Sequence, residues 1–309
     1  MHKTSLFSQP CDEGTRNALN KLITDSYFFV NVETIGKSIL GRPIECYTIG
    51  NKNKKVLFCG AFHGMEWITS LVLYKFIINI CDSIINHKTI QNEKLWEYFT
   101  NTSLAVIPCV NPDGVEICIN GSKSSKNFKS YIDYISTGTT SSWQANAMGV
   151  DINHNFNADW HNLKIKEIAM EITSPRASRY GGLYPESEPE TIALTKFCRE
   201  NEILSATAFH TQGEEIYWSF GKHTPIISKT IAEKMAELSK YTLSQPENIA
   251  TGGGFKDWLI DELHIPSFTI ELGKGKNPLN ISQLEPIYNK VEKMLLYLAS
   301  TSYIHTRAC

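Results

Sequence analysis

The amino-acid sequence predicts an α/β fold, in which helices cover both faces of a β-sheet. Short apolar runs that are typical of buried strands recur along the chain, for example over residues 56–59 and 104–107. Longer segments with helical periodicity lie between these runs, as over residues 68–85. Strands that alternate with helices favour a sheet that is covered on both sides.

The first fifty residues predict a helix followed by a hairpin. Over residues 14–27 the side chains of Leu19, Leu22 and Ile23 lie on one side of a helical pattern. Residues 32–49 alternate between apolar and polar types and are interrupted by glycines and a proline, which indicates two strands. No linker or charge run divides the chain, so we expect residues 1–309 to form a single domain. The N-terminal helix and hairpin (1–50) are then integral to it.

The central part of the chain predicts two strands, one helix and a long loop. The run 56–59 ends in a glycine and indicates a buried strand that leads into a loop. An amphipathic helix over 68–85 and a strand over 104–108 follow. The residues Asn111-Pro112-Asp113-Gly114 are a turn signal. Residues 119–149 show little periodicity, and we expect them to form a long functional loop.

The second half of the chain continues the alternation of helices and strands. Its patterns have the lengths that are usual for elements of an α/β domain. The predicted elements are helices over 185–200, 226–243, 255–263 and 282–298, and strands over 206–209 and 267–270.

Composition and charge narrow the classes of function. The chain has 309 residues, of which 42% are hydrophobic and 20% charged, so it can bury a sizeable core. A net charge of -2 argues against a nucleic-acid partner, which would require a basic face. We expect no membrane association, because no apolar stretch in the sequence looks long enough to cross a bilayer.

The cysteines and the N-terminus predict a cytoplasmic protein. No two of the eight cysteines form a CxxC pair and several lie in apolar runs, which favours reduced, buried thiols over disulfides. The residues after Met1 are polar and lack the apolar segment of a secretory signal. The eight are Cys11, Cys46, Cys59, Cys81, Cys109, Cys118, Cys198 and Cys309.

Four residues with metal-binding or proton-accepting side chains follow predicted strands. His63 and Glu66 are three residues apart, a spacing at which both can turn toward one zinc ion. His210 and Glu271 come directly after two later strands. Ligands gather at the carboxyl ends of strands in α/β sheets, so we expect the four to converge. Two histidines and one glutamate leave the fourth zinc position open for water, and a separate carboxylate can accept its proton.

Each of these residues, taken alone, has a structural explanation. A histidine and a glutamate at this separation also occur by chance. His210 alone is typical of a hydrogen-bonded structural histidine, and Glu271 can cap a helix or pair with Lys274. The metal-site hypothesis therefore depends on the four residues together.

Five motifs, in order, resemble those of the M14 family of zinc carboxypeptidases, and the resemblance covers nearly the whole chain. Five ordered matches at suitable spacing are a specific signal. The motifs are His63-Gly64-Met65-Glu66-Trp67-Ile68-Thr69, Asn111-Pro112-Asp113-Gly114, Gly149-Val150-Asp151-Ile152-Asn153, Phe209-His210 and Phe268-Thr269-Ile270-Glu271-Leu272.

The resemblance implies a fold, a cofactor and roles for particular residues. It implies an α/β fold with a mixed, roughly eight-stranded sheet between helices. His63, Glu66 and His210 are implied to hold one zinc ion per chain, with Glu271 as the general base. Asp151 matches the carboxylate that orients the first zinc histidine and raises its basicity. Cobalt or nickel would accept the same ligands.

Three positions depart from the digestive carboxypeptidases of this family. Those enzymes have an arginine that grips the substrate's terminal carboxylate where this chain has His154, a poorer partner for a carboxylate. They have a second arginine, which stabilises the transition state, where this chain has Gln144. The glutamine can donate a neutral hydrogen bond to the oxyanion but brings no charge. A tyrosine is also missing from residues 248–251.

Other stretches resemble one branch of the family, the bacterial γ-D-glutamyl-L-diamino acid endopeptidases. These enzymes cut the bond between γ-D-glutamate and diaminopimelate or lysine in peptidoglycan stem peptides. Such a substrate carries free carboxylates and, with diaminopimelate, a zwitterionic side chain. The matching stretches are residues 143–146, 153–156, 179–190, 210–218 and 252–258.

That substrate predicts charged residues near the zinc, although each candidate is also explained as a solvated or salt-bridged surface residue. Cationic and polar side chains would bind carboxylates, and acidic ones an ammonium group. The candidates are Arg179, Lys256 and His154 for carboxylates and Glu214 or Glu215 for an ammonium, with Asn153 as a further substrate-binding residue.

Three functional hypotheses follow, and none of them predicts an oligomeric state. The first is a zinc peptidase that acts on muropeptides, with Glu271 as the base and Gln144 assisting the oxyanion. The second is a general metallocarboxypeptidase or a deacylase of N-acyl amino acids. An arginine elsewhere in the site that binds the terminal carboxylate in place of His154 would favour the carboxypeptidase. The third is a non-catalytic muropeptide-binding protein, against which the intact ligands and base argue.

Overall fold

An eight-stranded mixed β-sheet organises the protein, whose computed structural model describes residues 3–300. Its strands run through the chain from the N-terminal hairpin to a strand near residue 270. They are β1 (Val30–Lys37), β2 (Pro43–Ile49), β3 (Lys54–Gly60), β4 (Ser103–Ile107), β5 (Glu202–His210), β6 (Glu215–Tyr217), β7 (Thr242–Leu243) and β8 (Ser267–Glu271).

The strand order is β1-β2-β4-β3-β5-β8-β6-β7. The four central strands β4, β3, β5 and β8 are parallel, whereas β2 pairs antiparallel with β4, and β6 pairs antiparallel with β8. The expectation of a mixed, roughly eight-stranded sheet is confirmed. The predicted hairpin is present as β1 and β2, and it belongs to the same sheet. The extent of the domain over all of residues 1–309 stays a prediction.

Helices pack on both faces of the sheet. The 3₁₀ turns include Gly64–Glu66, Ile152–His154 and Ser122–Phe128. The α-helices are α1 (Lys3–Leu6), α2 (Glu13–Ser26), α3 (Ile68–Asn86), α4 (Leu95–Tyr98), α5 (Pro112–Asn120), α6 (Lys129–Ile135), α7 (Trp160–Ala169), α8 (Pro189–Glu200), α9 (Ile227–Ser239), α10 (Phe255–Leu263) and α11 (Leu284–Ser300).

The two faces of the sheet bury different sets of side chains, because successive residues of a strand point to opposite sides. In β3, Val56 and Phe58 belong to the larger core with residues of α3, α9 and α11. Leu57 and Cys59 belong to the other core, with residues of α8 and α10. A strand that is buried on both faces is apolar without alternation, which is the pattern that predicted it.

Several predicted elements differ from the structure. Residues 119–149 are not one loop, because α5 extends to Asn120 and α6 follows after a 3₁₀ turn. The predicted turn at 111–114 is the start of α5: the Asn111 side chain accepts a hydrogen bond from the Gly114 amide at 2.8 Å, as an N-cap does. The helix expected over 226–243 ends at Ser239, where Lys240 adopts a left-handed conformation.

One described helix is long and apolar enough to cross a membrane, which corrects the expectation that no stretch would be. It is the segment Gly64–Asn86, and 72% of its most apolar 18 residues are buried inside the protein. The α3 helix packs on β3 and α11, so its apolar surface is covered by the core. A buried core helix meets the same test of length and composition.

Seven of the eight cysteines fall within residues 3–300. All seven are free thiols, and Cys118 alone among them is not fully buried. Cys309 lies outside the described residues. That these thiols are reduced in the cell stays a prediction.

A buried glutamate in the first turn of α8 makes the stability of the fold depend on pH. Glu190 is fully buried, and it accepts hydrogen bonds from the Ile39 amide and the Asn146 amide group, each at 3.2 Å. Burial, and then the charges of Asp113 and Glu188, raise the pKa of Glu190 to about 8. The folded protein therefore holds this proton more tightly than the unfolded chain does.

We expect the Glu190→Gln variant to lose part of the pH dependence of unfolding. Because the folded pKa is raised, the wild-type free energy of unfolding falls as the pH rises from about 4.5 to about 8. The slope from this group is at most about 1.4 kcal/mol per pH unit. Glutamine cannot ionise, so the free energy of unfolding of the variant increases relative to that of wild type as the pH rises to about 8. Above about pH 8 this difference stays constant. Urea unfolding at pH 6, 7, 8 and 9 measures this, and parallel curves would contradict it.

Candidate functional site

The carboxyl ends of three adjacent parallel strands carry the predicted site residues. His210 is the last residue of β5 and Glu271 the last of β8, and the two are direct partners in the strand register. Next to them, Gly60 at the end of β3 pairs with Phe209. The chain leaves β3 and reaches His63 within three residues. Strand pairing thus brings together residues that are up to 208 positions apart.

His63, Glu66 and His210 form the one cluster of potential metal ligands found within residues 3–300. One ligand atom from each lies within 4.8 Å of the others. The two oxygens of the Glu66 carboxylate lie 2.9 Å from Nδ1 of His63 and 3.0 Å from Nδ1 of His210. The two Nδ1 atoms are 3.4 Å apart. Two imidazole nitrogens and a carboxylate are therefore directed at a common point.

The protonation pattern of the cluster fits a metal ion. Nε2 of His63 lies 3.1 Å from Oδ1 of Asp151, so this nitrogen is the donor and Nδ1 keeps its lone pair. The His210 ring stacks on Phe62 with centroids 5.2 Å apart, which fixes its orientation. Two nitrogens and one oxygen are donors that zinc prefers, and three protein ligands are the number usual in catalytic zinc sites.

The electrostatics of the cluster result from burial and close charges. Burial alone would favour a neutral His63, but the Glu66 and Asp151 carboxylates raise its pKa well above the usual value. Burial likewise opposes ionisation of Glu66, but His63 and His210 lower the pKa of that carboxyl group. Asp151 has a lowered pKa for the same reason, mainly through His63. The two carboxyl groups are thus held in their ionised form, and the negative charge that they place around the histidines suits a cation at this point.

A glycine between the two ligands allows the turn to pack closely. A Cβ atom on Gly64 would lie 2.1 Å from the carbonyl oxygen of Gly114 and 2.8 Å from that of Trp143. The Gly64 and Met65 amides donate to the carbonyls of Gln144 and Trp143, at 3.1 and 2.8 Å. No side chain fits at this approach, so Gly64 sets the position of both ligands against the neighbouring wall.

Glu271 lies beside the cluster without belonging to it. Its side chain lines the same pocket as His63 and His210. Burial, and then the nearby Glu66 charge, raise the pKa of Glu271 well above its usual range. A carboxylate with a raised pKa is suited to accept a proton near neutral pH.

The pocket around the cluster has a volume of about 170 Å³ and contains most of the predicted substrate residues. His154 is buried there, with Nδ1 3.2 Å from Glu167 and 3.1 Å from the carbonyl of Arg179. The Lys256 ammonium is paired with Asp257 and donates to the Ser219 carbonyl at 2.8 Å. The lining residues predicted from the sequence are His63, His210, Glu271, Gln144, Asp151, Asn153, His154, Arg179 and Lys256.

The two glutamates proposed for an ammonium group lie differently. Glu214 forms ion pairs with Lys290 at 2.6 Å and Lys274 at 3.1 Å, and it does not line the pocket. Glu215 is the register partner of Glu271 and accepts a hydrogen bond from the Tyr217 hydroxyl at 2.7 Å, but it does not line the pocket either. The structure therefore does not bring Glu214 together with the site, because two lysines already hold its carboxylate.

The sequence prediction missed several residues of this pocket wall, among them two strand residues and one glutamate. Tyr217 and Thr269 are register partners on β6 and β8 and line the pocket, as does Glu247. Thr269 precedes Glu271 by two residues and so lies on the same face of the strand, a signal that the sequence contains. Glu247 lies in an irregular segment, and no sequence pattern marks it.

A second cleft of about 370 Å³ adjoins the pocket and shares Gln144 and Arg179 with it. We call it the arginine cleft. Its other lining residues include Met65, Met170, Ile172 and Arg176.

The Asp151→Asn variant tests how the cluster is oriented. One oxygen of Asp151 contacts Nε2 of His63 and the other accepts a hydrogen bond from the Arg179 amide at 2.9 Å. An uncharged amide would hold His63 less firmly, so we expect zinc affinity to fall roughly 10- to 100-fold. Competition with a chromophoric chelator measures the affinity. Unchanged affinity in a folded variant would mean that Asp151 only supports the backbone.

The amino-acid sequence is similar to those of known zinc carboxypeptidases and their relatives. A family profile described as zinc carboxypeptidase matches residues 15–294. Gamma-D-glutamyl-L-diamino acid endopeptidase 1 of Lysinibacillus sphaericus is 36% identical over 285 residues, which are 92% of this chain and 70% of that protein. The uncharacterised protein YqgT of Bacillus subtilis (strain 168) is 34% identical over 288 residues, covering 92% of this chain and 75% of that protein.

Solved structures show the same fold. Bovine thrombin-activatable fibrinolysis inhibitor, in its complex with tick carboxypeptidase inhibitor, superposes with a TM-score of 0.73 at 21% identity, over 97% of this chain and 99% of that one. Murein-tripeptide amidase MpaA of Escherichia coli O157 superposes with a TM-score of 0.55 at 22% identity, over 87% and 92% of the two chains. At such identities the likeness concerns the fold alone.

Proposed function

The chain belongs to the zinc carboxypeptidase family and is a metallopeptidase, and on that premise we propose that it hydrolyses the γ-D-glutamyl-diamino acid bond of peptidoglycan stem peptides. The observation that carries the proposal is the 36% identity to a γ-D-glutamyl-L-diamino acid endopeptidase over 92% of this chain. The diamino acid would be meso-diaminopimelate or lysine. The polar pocket described above supports a substrate of this kind.

We assign the cofactor site to His63, Glu66 and His210, with one zinc ion per chain. The directed Nδ1 atoms, the shared carboxylate and the contact of His63 with Asp151 support this assignment. A zinc ion bound there would polarise the scissile carbonyl group and acidify a water molecule.

The residues around the cluster would perform the proton transfers. An oxygen of the Glu271 carboxylate accepts a proton from the attacking water and later gives it to the departing amine. The Gln144 side chain, which has no hydrogen-bond partner within the described residues, is able to donate its amide N–H to the developing oxyanion. Asp151 keeps His63 in the tautomer and orientation that the site requires.

The pocket wall would bind the diamino acid. Asn153 is positioned by a hydrogen bond that its side-chain oxygen accepts from the Phe255 amide at 3.0 Å. His154 presents a polar group to carboxylates, as does Lys256, whose ammonium keeps one N–H beyond those given to Asp257 and Ser219. Glu247 presents an acidic group to an ammonium, whereas Asp257 is already paired with Lys256. A zwitterionic side chain needs both signs of charge on one wall. This pocket has them.

One observation favours a second candidate, a general metallocarboxypeptidase. Arg179 lines the pocket, where it could bind the terminal carboxylate of a substrate in place of the arginine that is absent at position 154. N-acylated dipeptides with a free terminal carboxylate are the substrates that distinguish this activity. The non-catalytic alternative is disfavoured, because the chain is a member of a peptidase family and has the metal-binding cluster with Glu271 beside it.

We propose a cytoplasmic location, where the enzyme would act on internalised wall fragments. Six buried free thiols among residues 3–300 suit a reducing compartment. Fractionation of cells with an antibody to the protein tests the location. Recovery with the culture medium or the wall would contradict it.

The test of function is hydrolysis of L-Ala-γ-D-Glu-meso-diaminopimelate by the purified protein, with bound zinc quantified. We expect release of free diaminopimelate by the wild type. Cleavage of N-acylated dipeptides, but not of this tripeptide, would support the second candidate instead. Bound zinc without hydrolysis of either substrate would contradict both.

A further inference from the structure

Building on the proposed function, we propose that the arginine cleft is a second substrate subsite that binds a carboxylate on the acyl side of the scissile bond. For a γ-D-glutamyl substrate, this is the free α-carboxylate of the D-glutamyl residue. Arg176 and Arg179 are the residues that we assign to it.

The position of the cleft follows from what it shares with the zinc-site pocket. Gln144 and Arg179 line both cavities, and Met65, directly before the ligand Glu66, lines the cleft. A substrate whose scissile bond lies at the cluster extends in two directions. The pocket with Asn153, His154 and Lys256 takes one half, so a chain that continues past Gln144 enters the cleft.

The charge of the cleft is not neutralised by the protein. Arg176 is exposed and forms no ion pair with any described residue. Arg179 has one acidic neighbour, Glu247, at 3.9 Å, and this glutamate is 81% exposed. An ion pair so long and so exposed contributes little. Two guanidinium groups are thus available for an anion, and planar guanidinium groups bind carboxylates well.

The backbone holds these arginines in a fixed relation to the metal cluster. The Arg179 amide donates to Asp151, and its carbonyl accepts from Nδ1 of His154. Arg179 has a left-handed backbone conformation, with φ of 66°. The Arg176 amide donates to the Gly149 carbonyl at 3.0 Å. Because Asp151 also contacts His63, the cleft and the ligands belong to one hydrogen-bonded framework.

The same framework fixes Gln144, where the two cavities meet. Its amide donates to the Ala177 carbonyl at 2.9 Å, and its own carbonyl accepts from the Gly64 amide at 3.1 Å. The segment with the arginines is therefore tied through residue 144 to the turn that carries the ligands. The backbone of the subsite is therefore fixed, and a bound carboxylate would have to order only the two exposed guanidinium side chains.

A pair of ligands that differ in one group tests the subsite. We would measure, by calorimetry on the zinc-loaded full-length protein, the binding of L-Ala-γ-D-Glu and of its α-amide. The wild type is expected to bind the free carboxylate roughly 10- to 100-fold more tightly, as charged hydrogen bonds would give. The Arg176→Gln and Arg179→Gln variants should lose most of this preference. Neither side chain supports the fold, so folding should be unchanged.

The control removes an equal charge elsewhere. Lys88 is exposed just beyond the end of α3, whereas the ligand Glu66 comes just before the start of that helix. At 1.5 Å per residue α3 is about 28 Å long, so Lys88 lies far from the cleft. Lys88→Gln should therefore keep the full preference. Equal binding of the two ligands by the wild type would overturn the proposal. An equal loss of affinity for both ligands in the arginine variants would also overturn it, because this would show a general loss of charge or of structure.

Hydrolysis of the corresponding tripeptides separates this proposal from the proposed function. An enzyme that cleaves the tripeptide but shows no carboxylate preference in binding retains its function and loses the subsite. A protein that cleaves neither tripeptide but prefers the dipeptide carboxylate in an arginine-dependent way retains the subsite and loses the proposed reaction. With both intact, the variants should raise KM for the carboxylate substrate roughly 10-fold or more and leave KM for the amide substrate unchanged.

Discussion

The Glu271→Gln variant should lose hydrolysis almost completely while it keeps its metal. The carboxylate ends β8 beside the cluster and lines the same pocket, but it is not one of the three converging ligands. Glutamine has nearly the same shape and cannot accept the proton of water. General-base catalysis contributes about 10²- to 10⁴-fold, and we expect kcat to fall by that factor.

Metal content separates this result from a damaged site. Zinc per chain and the thermal unfolding midpoint should equal those of the wild type. The matched control is Glu237→Gln on the exposed face of α9, where the lost pair with Lys234 contributes little. A Glu271→Gln enzyme with more than a tenth of wild-type kcat would show that another group accepts the proton.

The Glu66→Gln variant should lose the metal itself. One carboxylate contacts Nδ1 of both histidines, so its neutral counterpart removes the charge at the point where the ligand atoms meet. We expect the affinity for zinc to fall by more than the roughly 10- to 100-fold expected for a residue that only orients a ligand. Hydrolysis should fall to background at zinc concentrations that saturate the wild type.

Thermal unfolding with and without zinc measures this independently of activity. A ligand that binds only the folded state raises the unfolding temperature, so zinc should stabilise the wild type and the Glu237→Gln control. The Glu66→Gln variant should show no such shift. A full shift in this variant would mean that zinc binds elsewhere on the chain.

Much of the sheet and the metal cluster could be predicted because short sequence signals determine them. Apolar runs mark the central strands, and the residues that follow those strands meet at one edge of the sheet. His63, Glu66, His210 and Glu271 were named for this reason, and the structure brings them together.

Other features depend on contacts between segments that lack a pattern. The position of Gln144 depends on backbone hydrogen bonds to Ala177 and Gly64, and no spacing in the sequence indicates such bonds. The α7 helix was missed because Ile165 and Ile168 are 64% and 60% exposed, so its apolar residues do not mark a buried face. Glu214 was assigned to the site because residues 210–218 resemble the endopeptidase branch, but Lys290, from α11, holds its carboxylate.

The assembly of the site from the ends of three strands has a consequence for biosynthesis. The ligands are supplied from residue 63 to residue 210 and the base from residue 271, so the ribosome must complete most of the chain before the site can form. Strand pairs with such long sequence separation also form slowly, because a long loop must close before the pairing stabilises it. Nascent chains and fragments that stop before β8 should therefore be inactive, because they lack Glu271.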